Sequence, residues 1–187
     1  KEDISKVKSL KKEFSHGQEL KGKTIGIWGT GRIGTEVARL ALSFGMNVLA
    51  YHKSNSEMSV EFEIRGKKME VIIPISSLDE FLQDSDIISL HIPHHDSAVI
   101  TANVISKMKS GVVFLNTSRS SNVDEEALLK AIVSGKISKA GLDVFSSKLN
   151  SELLKHPNVS VTPHLGASTV EGQEKISMEL ARKILEF

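Results

Sequence analysis

The chain has 187 residues, 40% of them apolar and 25% charged, and carries a formal net charge of +1. That is enough for one ordinary domain with a core of its own, and the charge balance supplies no bulk attraction to nucleic acid or to a membrane. Cysteine is absent, so disulfides, thiolate metal sites and a cysteine nucleophile are excluded; no apolar run reaches the length of a bilayer span and no signal-peptide pattern opens the chain, which leads to the expectation of a cytoplasmic protein.

Ile4, Val7, Leu10 and Phe14 recur at helical spacing among lysines, which predicts an amphipathic helix over 3–14 with its lysines solvated. The stretch from Thr24 to His52 then reads as strand, Gly29-Thr30-Gly31-Arg32-Ile33-Gly34, helix and strand, the length of a βαβ unit. Each glycine has a task there: Gly29 for the turn off the strand, Gly31 for close approach of a pyrophosphate, Gly34 for tight helix packing. The N–H groups of Arg32 and Ile33 then stand at a helix N-terminus, where they and the helix dipole favour an anion. Ile33, Val37, Leu40, Ala41 and Phe44 are expected on the buried face, with Gly45 closing the helix.

In dinucleotide-binding units the second strand ends in a carboxylate that accepts from the ribose 2′-hydroxyl. Here that end reads Tyr51-His52-Lys53-Ser54-Asn55. His52, Lys53 and Ser54 can donate to a 2′-phosphate, where a carboxylate would repel one. The cofactor expected is therefore NAD or NADP, with this loop favouring NADP.

Beyond Met58 two alternating runs, Val60-Phe62-Ile64 and Met69-Val71-Ile73, flank Arg65-Gly66-Lys67-Lys68 and predict a hairpin. Ser77 and Glu80 form a capping box for a short helix. Strands follow at Asp86–His91, Val112–Asn116, Ala140–Val144 and Val159–Thr162. Between them lie helices capped by Thr101, by the Asn122–Glu125 stretch, and by Ser168–Glu171; the last carries Ile176, Leu180, Ile184 and Leu185. This alternation predicts an α/β fold: a Rossmann-like, doubly wound, mostly parallel sheet with helices on both faces. Ligands of such sheets sit beyond the carboxyl ends of the strands, which selects Gly29, His52, His91, Thr117 to Arg119, Asp143 and His164.

Arg119 can hold a carboxylate or polarise a carbonyl, Asp143 can accept from an amide, and His164 can pass the proton that accompanies hydride transfer. His91, His94, His95 and Asp96 lack the spacing of a metal site, and none is expected; a loop contacting cofactor is the better reading.

Taken in order, Gly29 to Gly34, His91-Ile92-Pro93, Asn116-Thr117-Ser118-Arg119, Val123 to Leu128, Ala140 to Phe145 and Thr162 to Thr169 resemble the D-2-hydroxyacid dehydrogenases, and within them the D-3-phosphoglycerate dehydrogenases. The resemblance covers residues 10–187. It implies an oxidoreductase that moves hydride between NAD(P)H and a 2-keto or 2-hydroxy acid. Arg119 would bind the substrate carboxylate and carbonyl, and His164 would be the general acid/base. Asp143 would meet the cofactor carboxamide and Arg32 and Ile33 the pyrophosphate; His91, Pro93, Thr117 and Gly166 would line the cofactor. A homodimer is implied as well.

The sequence departs from the family pattern in three places. A Glu expected five residues after Asp143 is Lys148, and an ammonium there would oppose the protonation of His164. Ser120-Ser121 replaces a more flexible pair after Arg119. The substrate-binding domain is expected to be absent: 1–187 reads as a dinucleotide-binding domain, with 1–20 an interdomain-type helix and lead-in and 21–187 the Rossmann core. Two functions remain open. One is the cofactor domain of a dehydrogenase, binding dinucleotide with little turnover by itself. The other is a degenerate relative that binds dinucleotide to sense or assemble, without catalysis.

Overall fold

The computed structural model describes residues 10–11, 17–146 and 151–186. Most of the helix expected over 3–14, and Lys148 with it, lie outside the described residues.

Six strands form one parallel sheet in the order β2-β1-β5-β6-β7-β8. They are β1 (Thr24–Trp28), β2 (Asn47–Tyr51), β5 (Ile87–Leu90), β6 (Val112–Asn116), β7 (Ile137–Leu142) and β8 (Val159–Val161). The order reverses beside β1, so β1 and β5 flank the point at which chain connections leave in opposite directions. Helix α1 (Arg32–Ser43) covers one face, while α2 (Leu78–Asp84), α3 (Ala102–Lys107) and α4 (Glu125–Val133) cover the other. Each face has its own core. Ile25, Ile27 and Ala50 pack with Ala38 and Ala41 of α1. Across the sheet Trp28, Phe81, Ile88, Leu90, Phe114 and Leu128 pack together, with the Trp28 indole edge-on to Tyr51 and Phe81.

Helix α1 buries Gly34, Ala38 and the expected Ala41, and the expected Val37 packs partly buried on the same core. Ile33, Leu40 and Phe44 are exposed. A Cβ on Gly34 would overlap the Gly29 carbonyl oxygen and lie 3.2 Å from the Ile27 side chain. The helix axis therefore sits so close to the sheet that only small side chains fit beneath it, and the large ones are displaced to its flanks.

Strands β3 (Glu57–Ile64) and β4 (Lys67–Pro74) form the expected hairpin, separate from the main sheet. Its loop is shorter than the sequence suggested. Ile64 pairs with Lys67, leaving Arg65 and Gly66 alone at the turn with φ of 52° and 76°; positive φ at both positions is the type I′ geometry that matches strand twist. Met58, Val60 and Ile73 tie the hairpin to the core beside α1.

The caps largely follow the sequence. Ser77 accepts from the Glu80 N–H and Thr101 from the Val104 N–H. The cap of α4 is Asp124, which accepts from the Ala127 N–H at 3.0 Å. The remaining helices among the described residues are the short α5 (Ser151–Lys155) and the long α6 (Val170–Leu185), the latter capped by Thr169. Helix α6 buries none of its residues, and Ile176, Leu180, Ile184 and Leu185, which the sequence placed on it, are exposed.

Candidate functional site

Because the sheet is parallel, the carboxyl ends of β1, β2, β5, β6, β7 and β8 open on one edge. The glycine-rich turn comes first. Gly29 has φ +107°, and a Cβ there would sit 2.5 Å from the His91 carbonyl oxygen, so the turn and the end of β5 touch backbone to backbone. Gly31, by contrast, has nothing within 4 Å of a Cβ position and an ordinary φ of −75°. It is the N-cap of α1, no side chain caps that helix, and no acid stands in its first turn. The N-terminus of α1 thus combines free N–H groups, the positive end of the dipole and an open approach over Gly31. Two clefts meet there. One of about 540 Å³ includes Arg32, Ile33, Val37 and His91. The other, about 490 Å³, runs between α1 and β3 past Thr30 and Ser59. A larger hollow of about 810 Å³ lies along the start of α6, away from the glycine turn; volume alone does not mark the anion site.

His91 directly follows β5, with its Nε2 2.9 Å from Ser89 Oγ. Burial pushes its pKa down to about 4, so the ring is neutral at pH 7. Pro93 is held from behind by Asn122, whose Nδ2 donates to the Pro93 carbonyl at 2.9 Å and whose Oδ1 accepts from the His95 N–H. His94 Nδ1 lies 2.8 Å from Ser121 Oγ and its Nε2 3.6 Å from Asp96. Among the described residues no three His, Asp or Glu side chains converge on a metal position.

At the end of β2 the His52 ring is part of the loop. Its Nδ1 accepts from the Ser54 and Asn55 N–H groups, both at 3.2 Å. With Nδ1 accepting, the ring's remaining donor is Nε2. Lys53 and Ser54 are exposed. Asn55 donates to Thr30 Oγ1 at 2.7 Å and fastens this loop to the glycine turn.

Thr117 and Arg119 follow β6 and are exposed, and buried Asn116 shapes their turn. Its Oδ1 accepts from the Ser118 N–H and hydroxyl, and its Nδ2 donates to the Arg119 carbonyl at 3.0 Å. The Arg119 guanidinium donates to the Ser118 carbonyl and, among the described residues, pairs with no carboxylate.

Asp143 and His164 form a second unit. The Asp143 carboxylate accepts from Thr162 Oγ1 at 2.5 Å, from the Leu165 N–H at 2.9 Å and from the Gly166 N–H at 3.3 Å. These bonds, led by the Thr162 hydroxyl, hold its pKa below the usual carboxylate range. A carboxylate has about four lone-pair sites, so one remains for an outside donor. The loop it gathers carries His164 at φ +57°, a left-handed conformation unusual for histidine, with the ring exposed. Glu125 at the start of α4 accepts from both the Ser146 N–H and hydroxyl at 2.8 Å, anchoring the chain as it leaves Asp143. Asn55, Asn116, Asn122 and Glu125 are supporting residues that entered the sequence reading only as parts of a loop, a motif or a helix cap. Only the buried-strand context of Asn116 could have marked one of them.

Residues 2–166 match the family model for the D-isomer specific 2-hydroxyacid dehydrogenase, NAD binding domain. The hydroxypyruvate reductase of Thermotoga maritima is 42% identical over 180 residues, covering 92% of this chain and 55% of that protein. The D-3-phosphoglycerate dehydrogenase of Bacillus subtilis is 38% identical over 175 residues, covering 91% of this chain and 32% of its own length. The chain thus spans between a third and about half of these curated relatives. A D-lactate dehydrogenase from Aquifex aeolicus, solved with NAD and lactic acid, superposes with a TM-score of 0.74 at 32% identity, over 96% of this chain and 59% of that one. With the glycine turn, the strand-end residues and these likenesses in agreement, the chain belongs to the D-isomer specific 2-hydroxyacid dehydrogenase family and comprises its NAD-binding domain.

Proposed function

We propose that residues 21–187 are the cofactor half of an NAD(P)-dependent D-2-hydroxyacid dehydrogenase whose substrate-specific half lies outside them. The observation that carries this is the uncapped N-terminus of α1 under the open face of Gly31, on the same sheet edge as Arg119 and His164. Arg32 and Ile33 would present their N–H groups to the pyrophosphate. Gly166, Thr117, His91 and Pro93 would border the dinucleotide, and Asp143 would take the carboxamide on its remaining lone pair. The nicotinamide, when bound, accepts or gives the hydride. Arg119 would hold the carboxylate and carbonyl of a small 2-keto or 2-hydroxy acid by paired N–H donors. His164 would move the proton to or from the substrate oxygen.

For the adenosine end we propose tolerance of NADPH beside NADH. Lys53 carries the charge and Ser54 and His52 Nε2 add donors. The working protein is proposed to be a homodimer. A second reading, a degenerate relative without catalysis, is favoured by Lys148 at the place where the family resemblance calls for Glu.

Binding of NADH and NADPH to the chain, followed by nicotinamide fluorescence, tests the core of this reading. Gly31→Ala meets no atom and strains no dihedral, so it should fold with only the loss of about 0.5–1 kcal/mol that Ala costs at an N-cap, yet lose at least tenfold in dinucleotide affinity. Unchanged affinity would remove Gly31 from the cofactor path. Lys53→Ala should weaken NADPH and spare NADH. Trp28 is a poor reporter, since its indole points into the core against Phe81 and not toward the turn.

A further inference from the structure

The hairpin offers a surface that the cofactor reading does not use. Strand β3 lies against α1 and buries Met58 and Val60, whereas six consecutive residues of β4, Lys67 to Ile72, are all exposed. Met69, Val71 and Ile72 remain 52%, 38% and 47% accessible. Among the described residues β4 has no strand on its outer side. In a hairpin closed by a two-residue turn the residues flanking the turn are hydrogen-bonded to each other, and bonded and non-bonded pairs then alternate. With Ile64 opposite Lys67, the backbone groups of Lys68, Glu70 and Ile72 point away from β3 into solvent. This is an open pairing edge of the kind that invites another strand.

Charge selects the strand. If a second copy of β4 pairs antiparallel about a two-fold axis, outward backbone groups must meet outward groups, which leaves a small set of registers. Centring the axis on Lys68 sets Lys68 against Lys68, and centring it on Glu70 sets Glu70 against Glu70. Centring it on Met69 places Lys68 of each copy opposite Glu70 of the other, with both residues in bonded positions and Met69 facing its own counterpart. Only this central register pairs opposite charges twice. The other edge of the hairpin has no such solution: β3 carries Glu57, Glu61 and Glu63 and no lysine, so like carboxylates would confront each other. Glu70 also accepts from Ser59 Oγ through Oε1, which leaves Oε2 for the partner.

We propose that the outer edge of β4 is a self-association site, at which two copies of this chain join their hairpins into one four-stranded antiparallel sheet with its two-fold axis at Met69. The contact is isologous, as two-fold dimers require. It continues the apolar face on which Phe62 pairs with Met69 and Val60 with Val71. The proposal stands independently of the cofactor assignment.

The natural absence of cysteine makes the test direct. Facing residues of a non-bonded antiparallel pair have Cα atoms about 4.5 Å apart, within the roughly 4.4–6.8 Å a disulfide spans. Met69→Cys in the 187-residue chain should therefore give a disulfide-linked dimer on mild oxidation, whereas Glu63→Cys on β3 should not. In sedimentation equilibrium of the reduced proteins, Lys68→Glu and Glu70→Lys should each weaken dimerisation, by about fivefold or more. The double exchange should restore it, because it rebuilds both pairs in reverse. Because Lys68 faces Glu63 and Glu70 faces Glu61 within the hairpin, folding of each variant is checked by its thermal unfolding midpoint at a dilution where the parent is monomeric, which removes the contribution of the dimer. A chain that stays monomeric to millimolar concentration overturns the proposal and leaves the edge to a peptide strand of another protein. A dimer that ignores both charge changes and gives no Met69→Cys disulfide also overturns it, and moves the contact elsewhere.

Discussion

Asp143 shows how much of this site rests on single side chains. Its carboxylate gathers three donors from the 162–166 loop and so holds His164 in a left-handed conformation that the residue would not keep alone. Asp143→Asn can keep its one oxygen for Thr162 and Leu165 only by turning its NH₂ group toward the Gly166 N–H. Amide exchange at Gly166 should then rise tenfold or more at pH 7. Acid should act the same way on the parent. The folded-state pKa is depressed, so the clamp is complete above the ordinary carboxylate value near 4 and is lost as pH falls through the lower folded value. Exchange that stays slow in Asp143→Asn would show that the loop is held by something else. His164 and Arg119 were legible from their place after strands. The residues that hold them, Asn116 and Glu125, were not, because their bonds join positions whose proximity the linear chain does not encode.

At the scale of elements, capping was read to within a residue or two and packing was not. Asp124 rather than Asn122 caps α4, since Asn122 is wholly buried and spends its amide on the 92–95 segment. The two substitutions should therefore separate. Asp124→Ala should cost about 1 kcal/mol, as loss of an N-cap does. Asn122→Ala strands the Pro93 carbonyl and the His95 N–H, and should cost about 2 kcal/mol or more. Urea denaturation at neutral pH measures both, and equal losses would contradict the assignment. The same distinction explains α1. Its helical period is plain in the sequence, but which side faces the sheet is decided by backbone approach at Gly34. A periodicity count rewards Ile33, Leu40 and Phe44 for size and cannot register that the space beneath the helix is too thin for them.

For the whole molecule, the half-buried His91 sets a pH dependence. Its folded pKa is lowered to about 4, whereas an unfolded histidine titrates near 6.5. Between these values the unfolded chain takes up a proton that the native one refuses, so stability falls as pH falls. From this group alone the chain should be about 2 kcal/mol less stable at pH 5 than at pH 7.5. His91→Gln should flatten that slope, which denaturant midpoints at the two pH values will show; a slope unchanged in the variant would assign the proton uptake to another group. The sequence by itself determined the α/β class, the parallel strands, the glycine turn and which residues stand at the strand ends. These follow from local periodicity, caps and glycine placement, which act over a few residues. Tertiary structure alone decided that α1 lies flat on small residues, that His52 spends its Nδ1 on its own loop, that Asp143 clamps His164, and that β4 keeps an open edge. Each of these depends on which distant segments meet, and on how closely their backbones approach, quantities that no local pattern carries.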